Sequence, residues 1–373
     1  MRRELFRVAI RLDLLVLLLI FGTVSAIFCP FSGFSQVAGP GSENPENLPG
    51  YSKKPSGPPR LPPKESTDPQ VKAVLDQMVA AGVLHPKTLE QWRQAYLFYA
   101  KLAGTPEKVF RVENRAVPGP TGSIPIRLYS PHAAGDLPVW IFFHGGGFVT
   151  GSVDTHDTPL RAVANRCDCL VVSVAYRLAP ENPYPAATND AYAATKWVAD
   201  HAAEIGGDPR RIAVGGDGAG GNLAAVVTLM AHDQGGPRLV YQVLIYPILN
   251  FVTGTRSWIL DNDPIFTTDA MLATSSTYVT INTDLDLPYL SPVEAKSFQG
   301  LPAALIITDE DDPVRDEAER YADELKGAGV PVEMSRYPKM IHGFFLMAGA
   351  LDAGKTSIDQ IAAALKQVFK GAN

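Results

Sequence analysis

Gly216-Asp217-Gly218-Ala219-Gly220-Gly221-Asn222 joins an apolar run, Ile212–Gly215, to a helical pattern that extends from Ala219 to His232. The run reads as a buried strand, so the chain passes from strand to helix through a turn made almost wholly of small residues. That is the form of a nucleophile elbow, G-x-S-x-G, where flanking glycines relieve crowding around a residue held in a strained conformation. Every part of the pattern is present except the serine. Gly218 occupies the apex, and Asp217, one position earlier, points elsewhere and is no substitute.

Working outward, the apolar runs Val139–Phe143, Leu170–Val174, Val240–Ile245 and Leu305–Thr308 read as further buried strands. Helical patterns occupy Asp190–Ala203, Arg315–Ala328 and Ser357–Lys370. Strands alternating with helices predict an α/β fold with a mostly parallel sheet covered on both faces. Towards the N-terminus, Val71, Val74, Leu75 and Met78 have helical spacing after an Asp68-Pro69 start signal, and a second helical stretch runs from Pro86 to about Ala103. Residues 250–298 break the alternation and read as an insertion.

In such sheets ligands bind beyond the carboxyl ends of the strands. Two more loops there carry chemistry. His144-Gly145-Gly146-Gly147 follows the strand ending at Phe143, and its glycines let backbone N–H groups approach a developing oxyanion. Asp312 follows the strand at Leu305–Thr308, and His342 follows Val332–Tyr337. The chain order of elbow, acid and histidine suits hydrolysis by a histidine base oriented by an aspartate.

These motifs resemble those of the bacterial hormone-sensitive-lipase-like carboxylesterases, over roughly residues 68–370. His144-Gly145-Gly146-Gly147-Phe148 is similar to the family's oxyanion motif. Tyr176-Arg177-Leu178-Ala179-Pro180-Glu181 with Pro185-Ala186-Ala187, Asp312-Pro313-Val314-Arg315-Asp316-Glu317 and His342-Gly343-Phe344 match three further signatures. Gly216–Gly221 matches G-D-S-A-G-G with glycine in place of serine. The resemblance implies an α/β-hydrolase fold with a helical cap, and hydrolysis of small or medium apolar acyl esters without a cofactor. It also implies Asp312 as the acid, His342 as the general base, and the N–H groups of Gly146, Gly147 and Ala219 as the oxyanion hole, with His144 holding the glycine loop. The cap would come from about residues 68–110 and 250–298, with Phe251, Trp258, Ile265, Phe266 and Met271 either roofing a pocket or packing as plain core. Loss of the nucleophile in a serine hydrolase costs on the order of 10⁶ in turnover, so the chain as written is expected to be weakly active or inactive. Intact Asp312 and His342 speak for an enzyme. The missing hydroxyl speaks for a non-catalytic binder or receptor of small apolar ligands, and both readings stand.

Among 373 residues, 46% are hydrophobic and 19% charged, and the net charge is −6. No basic stripe is available to neutralise phosphates, which argues against a nucleic-acid partner. Glu310, Asp311 and Asp316 form an acidic group expected to be solvated or salt-bridged, and no metal site is expected. Arg2, Arg3, Arg7 and Arg11, the apolar run Leu14–Phe21 and Val24-Ser25-Ala26 give residues 1–28 the pattern of an export signal or uncleaved anchor. Residues 29–67, rich in Gly and Pro, then read as a linker to a domain at 68–373. The expected location is outside the cytoplasm, periplasmic or secreted, with membrane contact only through the leader. Cys167 and Cys169, if on one strand, share a face, and are expected to be buried small hydrophobes without a bridge.

Overall fold

The computed structural model describes residues 68–372 apart from 134, 252, 253 and 261. The expected leader and the whole of the expected linker, residues 1–67, lie outside the described residues. Helix α1 (Pro69–Ala80) opens as its start signal predicts, because the Asp68 carboxylate accepts hydrogen bonds from Gln70 N and Val71 N. Helix α2 (Leu89–Leu102) starts later than Pro86, since the Thr88 hydroxyl caps Gln91 N and Gln91 Oε1 accepts from Lys87 N.

Eight strands form one sheet in the order β1-β2-β4-β3-β5-β6-β7-β8. β1 (Arg111–Gly119) and β2 (Gly122–Ser130) make an antiparallel hairpin, and β2 also runs antiparallel to β4 (Leu170–Val174). β3 (Leu137–Phe143), β5 (Gly207–Asp217), β6 (Tyr241–Ile245), β7 (Ala303–Asp309) and β8 (Val332–Tyr337) complete a parallel body. The helices α3 (Asp157–Cys167), α4 (Ala186–Asp200), the short α5 (Ala202–Ile205), α6 (Ala219–Asp233), α9 (Arg315–Gly327) and α10 (Asp352–Gly371) flank it. Within 250–298 lie α7 (Arg256–Leu260) and α8 (Thr268–Tyr278).

Alternation along each central strand sorts side chains onto two cores. Val139, Ile141 and Phe143 of β3 join the core under α4, α6 and α9, while Trp140 and Phe142 join the one shared with α3 and α10. Both sets are buried, which is why the strand reads as one continuous apolar run. Truncating Phe142 to alanine would cost about 3–5 kcal/mol at such a site.

One expectation is overturned. Cys167 and Cys169 form a disulfide, with Cα atoms 5.3 Å apart. They do not share a strand: Cys167 ends α3, Asp168 caps it in the left-handed conformation at φ 59°, and Cys169 precedes β4. This reversal at Asp168 turns the two side chains towards each other.

Candidate active site

The elbow is built as its composition demands. Gly218 N donates to Ile245 O across the strand end, and Gly218 adopts φ 52° and ψ −113°, a region that L side chains enter only with strain. A Cβ placed on Gly216 or Gly220 would collide with the backbone around Phe143, so neither position admits a larger residue. A Cβ on Gly218 itself would meet only the His342 ring beyond its chain neighbours, at 3.2 Å from Nε2 and 3.7 Å from Cε1. That is tight enough to move the imidazole by a few tenths of an ångström and no more.

The structure brings Asp312 and His342 to that apex. His342 Nδ1 lies 2.8 Å from Asp312 Oδ2, and Asp312 Oδ1 accepts from Val314 N at 3.0 Å. With the Nδ1 proton assigned to the Asp312 bond, Nε2 is left as the acceptor facing Gly218. The ring is held between Phe266, stacked at 4.3 Å, and Tyr246 at 4.5 Å. Burial alone would lower the basicity of His342, but the carboxylates of Asp312, Asp263 and Asp217 outweigh it and raise its pKa above the ordinary 6.5.

Asp217 does point elsewhere: its Oδ1 accepts from Gly145 N at 2.7 Å, and His156 Nε2 is 3.0 Å away. The elbow and the glycine loop are thus tied together by one buried carboxylate. His144 is structural, as expected. Its Nδ1 sits 2.9 Å from Gly145 O, its ring stacks on Tyr176, and Tyr176 Oη donates to His144 O at 2.6 Å. Burial drives its pKa down to about 3, so it stays neutral and cannot serve as a second base near neutral pH. Gly146 and Gly147 make no N–H hydrogen bond to the described residues, and Ala219 heads α6, where helix N–H groups lack intrahelical partners.

Gly146, Gly147, Ala219 and His342 line one cavity together with Trp92, Tyr96 and Tyr99 of α2 and with Ile265, Phe266 and Thr274. Of the five side chains named for a roof, Ile265 and Phe266 line the cavity while also packing into the buried cores. Phe251 and Met271 are instead core, Phe251 packing near Phe148 and Tyr278, and Trp258 packs partly buried against that core. Two members of the acidic group are salt-bridged or hydrogen-bonded: Asp316 pairs with Arg315 and accepts from Ser257 N, and Glu310 Oε2 accepts from Lys339 N.

Two residues of the site escaped the sequence. Asp263, wholly buried, accepts from His342 N at 2.6 Å and from Ile265 N and Phe266 N at 2.7 Å each, joining the insertion to the histidine loop. Burial and the neighbouring Asp312 push its pKa up to about 6. Asp309, the last residue of β7, is buried beside Asp312 and His342, with ligand-type atoms of all three within 4.8 Å of one another. A buried carboxylate has no sequence signature, because Asp is ordinarily a surface residue.

A profile of the alpha/beta hydrolase fold matches residues 140–346. The carboxylesterase NlhH of Mycobacterium tuberculosis is 46% identical over 270 residues, covering 69% of this chain and 83% of that protein. The esterase LipI of the same organism is 43% identical over 267 residues, covering 70% and 83%. Among solved structures, an esterase from Pyrobaculum calidifontis superposes with a TM-score of 0.75 at 42% identity, covering 80% of this chain and 98% of that one.

Proposed function

We infer that this chain, which belongs to the alpha/beta hydrolase fold family and to its ester-hydrolysing enzymes, retains a complete esterase site in all but the nucleophile, with Gly218 standing where a serine would attack. The observation that carries this reading is the aim of His342: Nδ1 is paired with Asp312, and Nε2 lies 3.2 Å from where a Cβ on Gly218 would be. The N–H groups of Gly146, Gly147 and Ala219 are then the oxyanion donors. The cap segments 68–110 and 250–298 supply the apolar walls at Tyr96, Ile265 and Phe266.

With serine at position 218, His342 takes the hydroxyl proton as Oγ attacks the ester carbonyl. The alkoxide leaves with that proton, and water then releases the acid by the same route. The chain as written has a slower path, in which His342 takes a proton from water as the water adds directly to the carbonyl, and returns it to the departing alkoxide. No acyl-enzyme forms. An apolar cavity with few polar fixing groups favours apolar acyl chains over charged substrates, and the resemblance to the carboxylesterases implies short to medium chain lengths.

Gly218→Ser tests the reading. Turnover of short p-nitrophenyl esters should rise by about 10³–10⁶-fold, with a pre-steady-state burst if deacylation is slow. The same substitution should cost about 1–3 kcal/mol in stability, because φ 52° is strained for serine. A folded Gly218→Ser protein without gain would transfer the site to the rival reading, a binder of small apolar ligands. Export is a separate proposal resting on the leader pattern in residues 1–28. N-terminal sequencing of protein from the native host should find cleavage near Ala26, and an intact leader on soluble cytoplasmic protein would refute it.

A further inference from the structure

The mechanism above leaves one buried acid unused. Asp309 is fully inaccessible, and neither of its carboxyl oxygens finds a hydrogen-bond donor among the described residues. An unsatisfied buried carboxylate is costly, and two adjacent carboxylates cannot both ionise cheaply without a cation. The groups that face it are acidic or neutral: Asp311 and Asp312 in its own loop, Asp263 from the insertion, and the Tyr246 hydroxyl beyond β6, itself buried and unpaired. Among the described residues grouped there, His342 is the one that can become cationic, and its Nδ1 is already engaged with Asp312. Asp312 has spare capacity, since each carboxylate oxygen accepts two hydrogen bonds and the structure shows one donor at each.

The geometry points to Asp309 as a neutral acid whose O–H is donated to Asp312, making it a positioning residue for the Asp312–His342 pair. The shared proton satisfies the buried carboxyl of Asp309, fixes the Asp312 carboxylate with Oδ2 towards His342, and draws off part of the charge that would otherwise raise the basicity of His342. Burial, then the charges of Asp312 and Asp263, hold the Asp309 pKa well above the usual carboxylate range, as a permanent proton requires. For its kinetic consequence this inference rests on the esterase reading. Its test reads the acid pair directly.

The test compares Asp309→Asn with Asp309→Ala in the full chain. An asparagine amide is a neutral donor of nearly the same size, whereas alanine offers none. Following the His342 ring by NMR across pH, its pKa should stay within about 0.5 units of the native value in the Asn variant and rise by about 1 unit in the Ala variant. If Asp309 is ionised instead, both substitutions remove a negative charge within 4.8 Å of the ring, and both should lower the His342 pKa by about 2 units. That outcome overturns the proposal. Should the Ala variant fail to fold, infrared spectra of the unmutated chain decide. A protonated-carboxyl absorption persisting at pH 8, and lost in Asp309→Asn, supports the shared proton, and its absence in the unmutated chain overturns it.

A stoichiometric divalent metal found by elemental analysis of the purified protein, and missing from Asp309→Asn, would show the three side chains to be ligands and likewise refute the proton. In the Gly218→Ser background the acid limb of kcat/KM should shift with the NMR value in each variant. If Gly218→Ser hydrolyses nothing, the esterase reading falls, while the NMR and infrared results still settle the acid pair.

Discussion

The elbow and the acid–histidine corner lie on opposite sides of one apex and are built on contrary principles. From Gly216 to Gly221 the side chains other than Asp217 are no larger than methyl, and at Gly216 and Gly220 the backbone passes so close to Phe143 that nothing larger fits. The corner beyond β7 and β8 crowds Asp263, Asp309 and Asp312, all buried, around a single imidazole. On the esterase reading proposed above, one side controls shape and the other controls protons. The difference teaches that a bare glycine at position 218 need not disturb the corner, because no contact of Asp312 or Asp263 with His342 passes through residue 218. The proton machinery is therefore testable independently of the nucleophile.

The sharpest break would come from removing the base. In Gly218→Ser, His342→Ala should abolish the gained turnover, a loss of about 10⁴–10⁶-fold. In the chain as written, the same change should remove whatever slow hydrolysis exists. Residual activity indifferent to His342→Ala would place it outside the site. Because the base must be neutral, and its pKa is raised above 6.5, kcat/KM of the serine variant should fall as pH drops through a midpoint higher than that value.

Asp263→Asn gives a smaller and more diagnostic effect. One carboxylate serves three N–H groups here, of Ile265, Phe266 and His342. An amide has a single acceptor oxygen and would turn its own NH₂ on one of these donors. We expect about 1–3 kcal/mol of destabilisation and roughly a 10-fold or greater fall in kcat of the serine variant through misplacement of His342. The pH dependence has a definite sign. The folded pKa is raised, to about 6, so the native chain has a contribution that is complete below about 4 and lost as pH rises through the folded value. Asparagine cannot titrate. The stability gap between the two proteins, followed by thermal unfolding, should therefore narrow between about pH 4 and pH 6. A constant gap would mean that Asp263 is ionised throughout.

How much of this was legible in the sequence follows from the same contrast. The elbow, the glycine loop, Asp312 and His342 were legible because close backbone approach demands glycine, and base catalysis demands a histidine paired with an acid. The parallel strands were legible because strands buried on both faces are apolar without interruption. The β1–β2 hairpin was not, since β1 alternates half-exposed and exposed residues from Arg111 to Arg115 and the hairpin carries Pro118 and Pro125. The disulfide was missed because a left-handed Asp168 has no reliable signature. Asp263 and Asp309 were missed because their roles come from burial among other acids, which only the folded chain creates.

The smallest expected effect lies at the part of the cavity wall that α2 supplies. Arg93 of α2 donates to Glu181 Oε2 at 2.9 Å and through Nε to Val149 O at 3.2 Å, linking the helix that carries Tyr96 to the end of the glycine loop. The ion pair is substantially exposed, with side-chain accessibilities of 35% and 54%, so Glu181→Gln should cost only about 0–1 kcal/mol, less at high salt. Arg93→Ala also removes the bond to Val149 O, and should exceed Glu181→Gln by about 0.5–1.5 kcal/mol. Because α2 walls the cavity but touches neither Asp312 nor His342 in any hydrogen bond among the described residues, Arg93→Ala in the serine variant should raise KM a few-fold and leave kcat nearly unchanged. If kcat fell as far as it does in Asp263→Asn, control of the protons would extend to α2. The division between a corner that manages protons and a wall that only shapes the cavity would then have to be given up.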